Sequence, residues 1–166
     1  PYGSLCYWHI YETPTLWEPY GYPGDIPVPG DYDGDGTADK AVVRVEGSYL
    51  RWLIKEADGD HYTFLWGYPG DTVKALDYDG DGITDPTVWR IKGEYSTIWF
   101  IMNKAKIRWG YADDTPVVGD FDGDGNYNIG VFRGNEGTWY IYNPAGTNFK
   151  RTYGLDGDLP VVGQSF

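Results

Sequence analysis

The chain has 166 residues, enough for one domain with its own core or for a few small repeats. Its formal charge of −12 argues against nucleic acid or an anionic membrane surface as a partner, and no apolar run is long enough to cross a bilayer. Aromatic residues at 18% and 24 glycines favour strands joined by tight turns, so an all-β fold is expected. Cys6 is the only cysteine, which leaves no internal disulfide, and its expected place is in the core, as for most free cysteines. The sequence starts at Pro1 with neither Met nor an apolar leader, as a processed product would.

In chain order, residues 1–20 read as the last two strands of an incomplete unit, over 6–11 and 15–20. Three complete repeats follow, at 21–66, 67–109 and 110–153, and the tail, 154–166, begins a fourth. YGYPGDIPVPGDYDGDGTAD returns as WGYPGDTVKALDYDGDGITD and again as WGYADDTPVVGDFDGDGNYN. In each repeat a first strand (26–29 or 116–119) runs into an Asp-rich loop. A second strand follows (40–45, 86–91, 129–133), then an aromatic third (49–54, 97–101, 138–142) and a fourth (61–66, 106–109, 148–153). Asp58-Gly59 and residues 143–146 mark the turn between third and fourth strands. No segment carries helical periodicity.

Four strands every 43–46 residues is the spacing of propeller blades. The expected architecture is therefore a small β-propeller of four-stranded blades, three complete and one composite. The composite blade would join 6–11 and 15–20 to a first strand at 159–163, without a second strand. That complementarity closes a ring within one chain, or joins copies head to tail into a larger ring or a filament, unless the chain is a fragment of a longer array.

The loops read DYDGDGTAD (31–39), DYDGDGITD (77–85) and DFDGDGNYN (120–128). Carboxylates at positions 1, 3, 5 and 9 of a tight loop converge their oxygens: Asp31, Asp33, Asp35 and Asp39; Asp77, Asp79, Asp81 and Asp85; Asp120, Asp122 and Asp124, with Asn128 last. Glycine at position 6 permits the sharp turn, and the position-7 carbonyl of Thr37, Ile83 or Asn126 is a natural further ligand. An all-oxygen donor set selects a hard cation, so three Ca²⁺ ions are expected, calcium before magnesium. Three such ions would halve the net charge. Asn128 has one charge fewer, which makes the third site the expected weak one. An EF-hand shares D-x-D-x-D-G but needs a Glu at position 12, where this chain has Val42, Val88 and Val131. Plain acidic turns would need only one or two such residues. The fourth copy has Gly163-Gln164-Ser165-Phe166 at this point, so no site is expected there.

Together with GD-x-P-V-x-GD, the Arg-ended second strands (Arg44, Arg90, Arg133) and TWYIY at 138–142, these loops resemble FG-GAP/VCBS-type repeats. Those are the calcium-bearing propeller blades of integrin α-subunits and of many secreted bacterial proteins. The resemblance spans residues 20–163. It implies a β-propeller, an extracellular or cell-surface location and an adhesive or ligand-binding role, commonly on seven blades. Millimolar calcium outside cells would fill even weak sites.

No enzyme is expected. His9 and His61, the only histidines, stand on strands without a Ser or Cys partner motif, and Glu12, Glu18, Glu46, Glu56, Glu94 and Glu136 show no pairing. The expected role is a structural or adhesive cell-surface unit whose partners are other copies of itself or cell-surface proteins. A glycan-binding module is the alternative, with Trp52, Trp99 and Trp139 either stacking on sugars or packing between blades. Arg44, Arg90 and Arg133 are expected to pair with loop carboxylates or aromatic faces.

Overall fold

A computed structural model describes residues 6–9, 17–144 and 146–162. Its secondary structure is all-β, with one 3-10 turn at Gly134–Glu136 and no α-helix among the described residues. Strands β1 (Tyr7–His9) and β2 (Trp17–Pro19) pair as a two-stranded sheet. The other twelve make three four-stranded antiparallel sheets, each a simple meander. The first contains β3 (Ile26–Pro27), β4 (Lys40–Glu46), β5 (Tyr49–Lys55) and β6 (His61–Leu65). The second contains β7 (Thr72–Leu76), β8 (Asp85–Gly93), β9 (Ser96–Ile101) and β10 (Ala105–Arg108). The third contains β11 (Thr115–Gly119), β12 (Asn128–Arg133), β13 (Thr138–Tyr142) and β14 (Phe149–Thr152).

Alternation along the strands explains the layering. In β5, Leu50, Trp52 and Ile54 point inward and are at most 2% exposed, while the residues between them are not buried. The second sheet is apolar on both faces. Val73, Ala75 and Val88 pack with Ala41, Val43 and Trp52 of the first sheet. Leu76, Trp89, Trp99 and Ile101 pack with Val118, Ile129 and Val131 of the third. Each sheet thus buries its neighbour's face, and a lone sheet would leave a face in water. β3 is short because Pro27 and Pro29 cannot donate to a ladder, although the Val28 N–H still bonds to Ala41 at 2.9 Å.

The ends differ from expectation. Residues 155–162 form no strand, and Leu155, Leu159 and Val161 are 75, 85 and 87% exposed. A first strand is held by its ladder to a second, and among the described residues no strand pairs with the segment expected to start at 159; residue 163 lies outside them. The two strands expected at 6–11 and 15–20 do pair, Tyr7 opposite Pro19, but in a sheet of their own. Cys6 is exposed rather than buried, at the start of the hairpin and bonded through its backbone to Gly21 and Tyr20. The described strands close no barrel.

Candidate metal centres

Each Asp-rich loop links the first strand of a sheet to the second and is held by one repeated set of hydrogen bonds. The first aspartate accepts from the glycine amides at positions 4 and 6: Gly34 and Gly36 on Asp31 (2.7 and 2.7 Å), Gly80 and Gly82 on Asp77 (2.8 and 2.8 Å), Gly123 and Gly125 on Asp120 (2.7 and 3.0 Å). Both glycines adopt positive φ, between 74° and 92° across the three loops, which a side chain would resist. At position 9, Asp39, Asp85 and Asn128 each accept the position-2 amide, at 2.8, 2.9 and 2.9 Å. Asn128 therefore keeps the structural bond of its counterparts and lacks only their charge. The position-7 amides of Thr37, Ile83 and Asn126 donate to Asp35, Asp81 and Asp124.

These bonds turn carboxylates onto common points. One oxygen from each of Asp31, Asp33 and Asp39 lies within 4.8 Å of the others, as do those of Asp77, Asp79 and Asp85, and of Asp120, Asp122 and Asp124. Ligands on opposite sides of one calcium ion stand roughly 5 Å apart, so the donor sets fit that ion in size and in hardness. Asp35 lies outside the first grouping and Asp81 outside the second, so position 5 joins only in the third loop. Burial pushes the carboxyls of Asp39 and Asp85 up; backbone donors pull them back, and neighbouring aspartates add to the rise. Burial also works against the charge on Asp120, but the amides of Gly125, Gly123 and Asp124 outweigh it and hold that carboxyl low. The EF-hand alternative fails in three dimensions as it did in sequence: Val42, Val88 and Val131 sit in strands and are at most 4% exposed.

The hairpin between third and fourth strands reaches over each loop, and it brings a different group every time. Over the first, the Ala57 amide donates to Asp39 at 2.9 Å, and Glu56 joins Asp58 and Asp60 in a fourth acidic grouping. Burial, then Asp33 beside it, raises the Glu56 carboxyl. Over the second, Lys104 Nζ lies 2.5 Å from Asp79, 3.0 Å from Asp81 and 3.2 Å from Asp85. Burial opposes the lysine charge, but the three carboxylates outweigh it and raise the ammonium above its ordinary value. Over the third, the Asn143 side-chain amide donates to Asp122. Sequence reading gave Glu56 and Lys104 no part in the loops, because both stand on a different hairpin.

Neighbouring loops also touch. The Thr84 amide donates to the Asp31 carbonyl at 2.6 Å and the Tyr127 amide to that of Asp77 at 3.3 Å, so position 8 of one loop ties to position 1 of the loop before it. A side chain at Gly80 would come within 1.9 Å of Asn126 Oδ1.

At the far end of each first strand stands an arginine clamp. Arg44, Arg90 and Arg133 bind Asp25, Asp71 and Asp114 through two nitrogens each, at 2.6–3.0 Å. The same aspartates accept the amides of Tyr22, Tyr68 and Tyr111 at 2.8 Å, and those rings lie 4.6, 4.5 and 4.2 Å under the guanidinium groups. The arginines thus meet aromatic faces as expected, but their carboxylates belong to the turn before the first strand, not to the Asp-rich loop. The constant separation of 19 residues was the legible signal. The turn recurs at 155–158, where Asp158 accepts the Leu155 amide.

Trp52 and Trp99 have 0% exposure and donate to the carbonyls of Trp66 and Trp109, so they pack between sheets and present no face to a sugar. Trp139 is half-buried and donates to Tyr153. Among the described residues no helix is long and apolar enough to cross a membrane. Comparison with family models, with curated proteins and with solved structures returns no match.

Proposed function

We propose that this chain is a calcium-stabilised, non-enzymatic extracellular or cell-surface repeat protein whose sheets are FG-GAP/VCBS-type blades of a small β-propeller. Its role is structural or adhesive, and copies join head to tail through the incomplete unit, with other cell-surface proteins as further partners. One observation carries the reading: three loops with the same hydrogen bonds each gather three carboxylate oxygens within 4.8 Å, a donor set suited to a hard divalent cation. Chemistry supports the location, since sites of this kind fill at millimolar calcium. The exposed side chains of Leu155, Leu159 and Val161, in a segment that pairs with no strand among the described residues, support assembly.

Thermal melting tests the metal. EGTA should lower the transition and excess calcium restore it; an unmoved transition refutes structural calcium. Sedimentation with and without EGTA tests assembly, and a monomer at high concentration in both refutes it.

A second reading, glycan binding, has one observation in its favour. An aromatic cleft recurs between sheets: Tyr49, Trp66, Tyr68 and Arg90 line one of about 280 Å³, and Tyr95, Trp109, Tyr111 and Arg133 one of about 270 Å³. A glycan array without signal above background ends that reading.

A further inference from the structure

The three Asp-rich loops are built alike, yet the second already holds a positive charge. Asn103, with φ 56°, and the Lys104 amide bonded to Ile101 at 3.1 Å form a tight turn between β9 and β10. This turn directs the Lys104 side chain over the loop. An ammonium has three N–H donors and no acceptor. Here three carboxylates receive it, from positions 3, 5 and 9 of one loop, and the lysine side chain is only 22% exposed. The corresponding hairpins bring a carboxylate, Glu56, to the first loop and a neutral amide, Asn143, to the third.

We propose that Lys104 is a tethered cation for the second loop: it neutralises Asp79, Asp81 and Asp85 from within the chain, keeps that loop folded without metal, and makes it the weakest of the three calcium sites. A tethered ammonium is present at high effective concentration and is not removed by a chelator. A metal ion entering the second loop must displace it and give up three charge-assisted hydrogen bonds. The hairpin over the first loop brings Glu56, an added anion, in place of a lysine, so that loop binds most tightly. This order differs from that expected from Asn128 alone, which placed the third site last. The ranking rests on the calcium reading; the tether does not.

Two measurements on the full chain separate the two ideas. Lys104→Gln is compared with wild type and with Lys92→Gln, a change at an exposed lysine on the strand end. In EGTA, Lys104→Gln should melt about 2–4 °C lower than either. Titration calorimetry with CaCl₂ should find one ion held more weakly than the other two on the wild type and held at least tenfold more tightly on Lys104→Gln, and that calcium should restore the lost melting temperature. If Lys104→Gln melts with wild type in EGTA, the tether is overturned. It is overturned equally if both proteins bind three ions with the same affinities. A lower melting temperature in EGTA with no calcium bound by either protein upholds the tether and defeats the calcium reading.

Discussion

The two ends of each first strand treat negative charge in opposite ways. Before the strand, an aspartate no more than 5% exposed in its side chain is gripped by a guanidinium, a backbone amide and, through that guanidinium, a tyrosine ring. Both signs of charge belong to the chain, so the clamp is complete as folded. After the strand, the carboxylates converge with backbone amides as their main partners, and in the second loop Lys104 adds a full cation. One end is closed by sequence alone and the other asks for an ion. A few residues of strand separate a fixed electrostatic joint from an adjustable one.

The largest way to break that contrast is at the clamp. Arg90→Ala leaves the Asp71 carboxylate buried without its partner and should cost about 3–5 kcal/mol in urea unfolding, with no rescue by calcium. If calcium restores that loss, the two ends are not independent. Next comes Gly80→Ala, which meets both a φ of 74° and the Asn126 side chain of the adjoining loop. A loss of about 2 kcal/mol is expected, again by urea unfolding, because strain and contact act together. Asn128→Asp is smaller and changes sign with the medium. With calcium it should stabilise by about 1 kcal/mol through tighter binding, and in EGTA it should destabilise by adding a carboxylate to an uncompensated cluster. The same sign in both media would mean that the third loop holds no metal.

The subtlest contrast is with pH. Burial works against the charge of Asp25, but Arg44 and the Tyr22 amide outweigh it and hold the carboxyl below its ordinary value. Its contribution is therefore present above the ordinary carboxylate range and is lost as pH falls through the lowered value. Asp39 and Asp85 are raised instead, so in EGTA their contribution is present below the ordinary range and is lost as pH rises through the raised values. In EGTA, Arg44→Gln should flatten the acid limb of a melting-temperature profile. Asp39→Asn should remove part of the fall in stability between acid and neutral pH, and calcium should remove that fall in wild type.

Most strands were legible because their signals are local. TWYIY at 138–142 became β13 with the same bounds, and 129–133 became β12 with one more residue. Alternation of apolar side chains needs only the strand itself, and the loop geometry needs only glycines at positions 4 and 6 beside a leading aspartate. The tail failed for a matching reason: 159–163 matches the first strand of the repeats in sequence, but a strand also needs a neighbour, and sequence pattern does not supply one.

What the sequence by itself determined is the repeat, its four strands and the convergence of carboxylates within each loop. These rest on backbone preferences and hydrogen bonds within a few residues. Tertiary structure alone decided that Trp52 and Trp99 are sealed between sheets, that each arginine grips the turn before the first strand, and that Lys104 lies over the second loop. Those outcomes depend on which hairpin stands over which loop and which face meets which sheet. Charge and packing act through space, so three nearly identical loops came to hold three different electrostatic neighbourhoods.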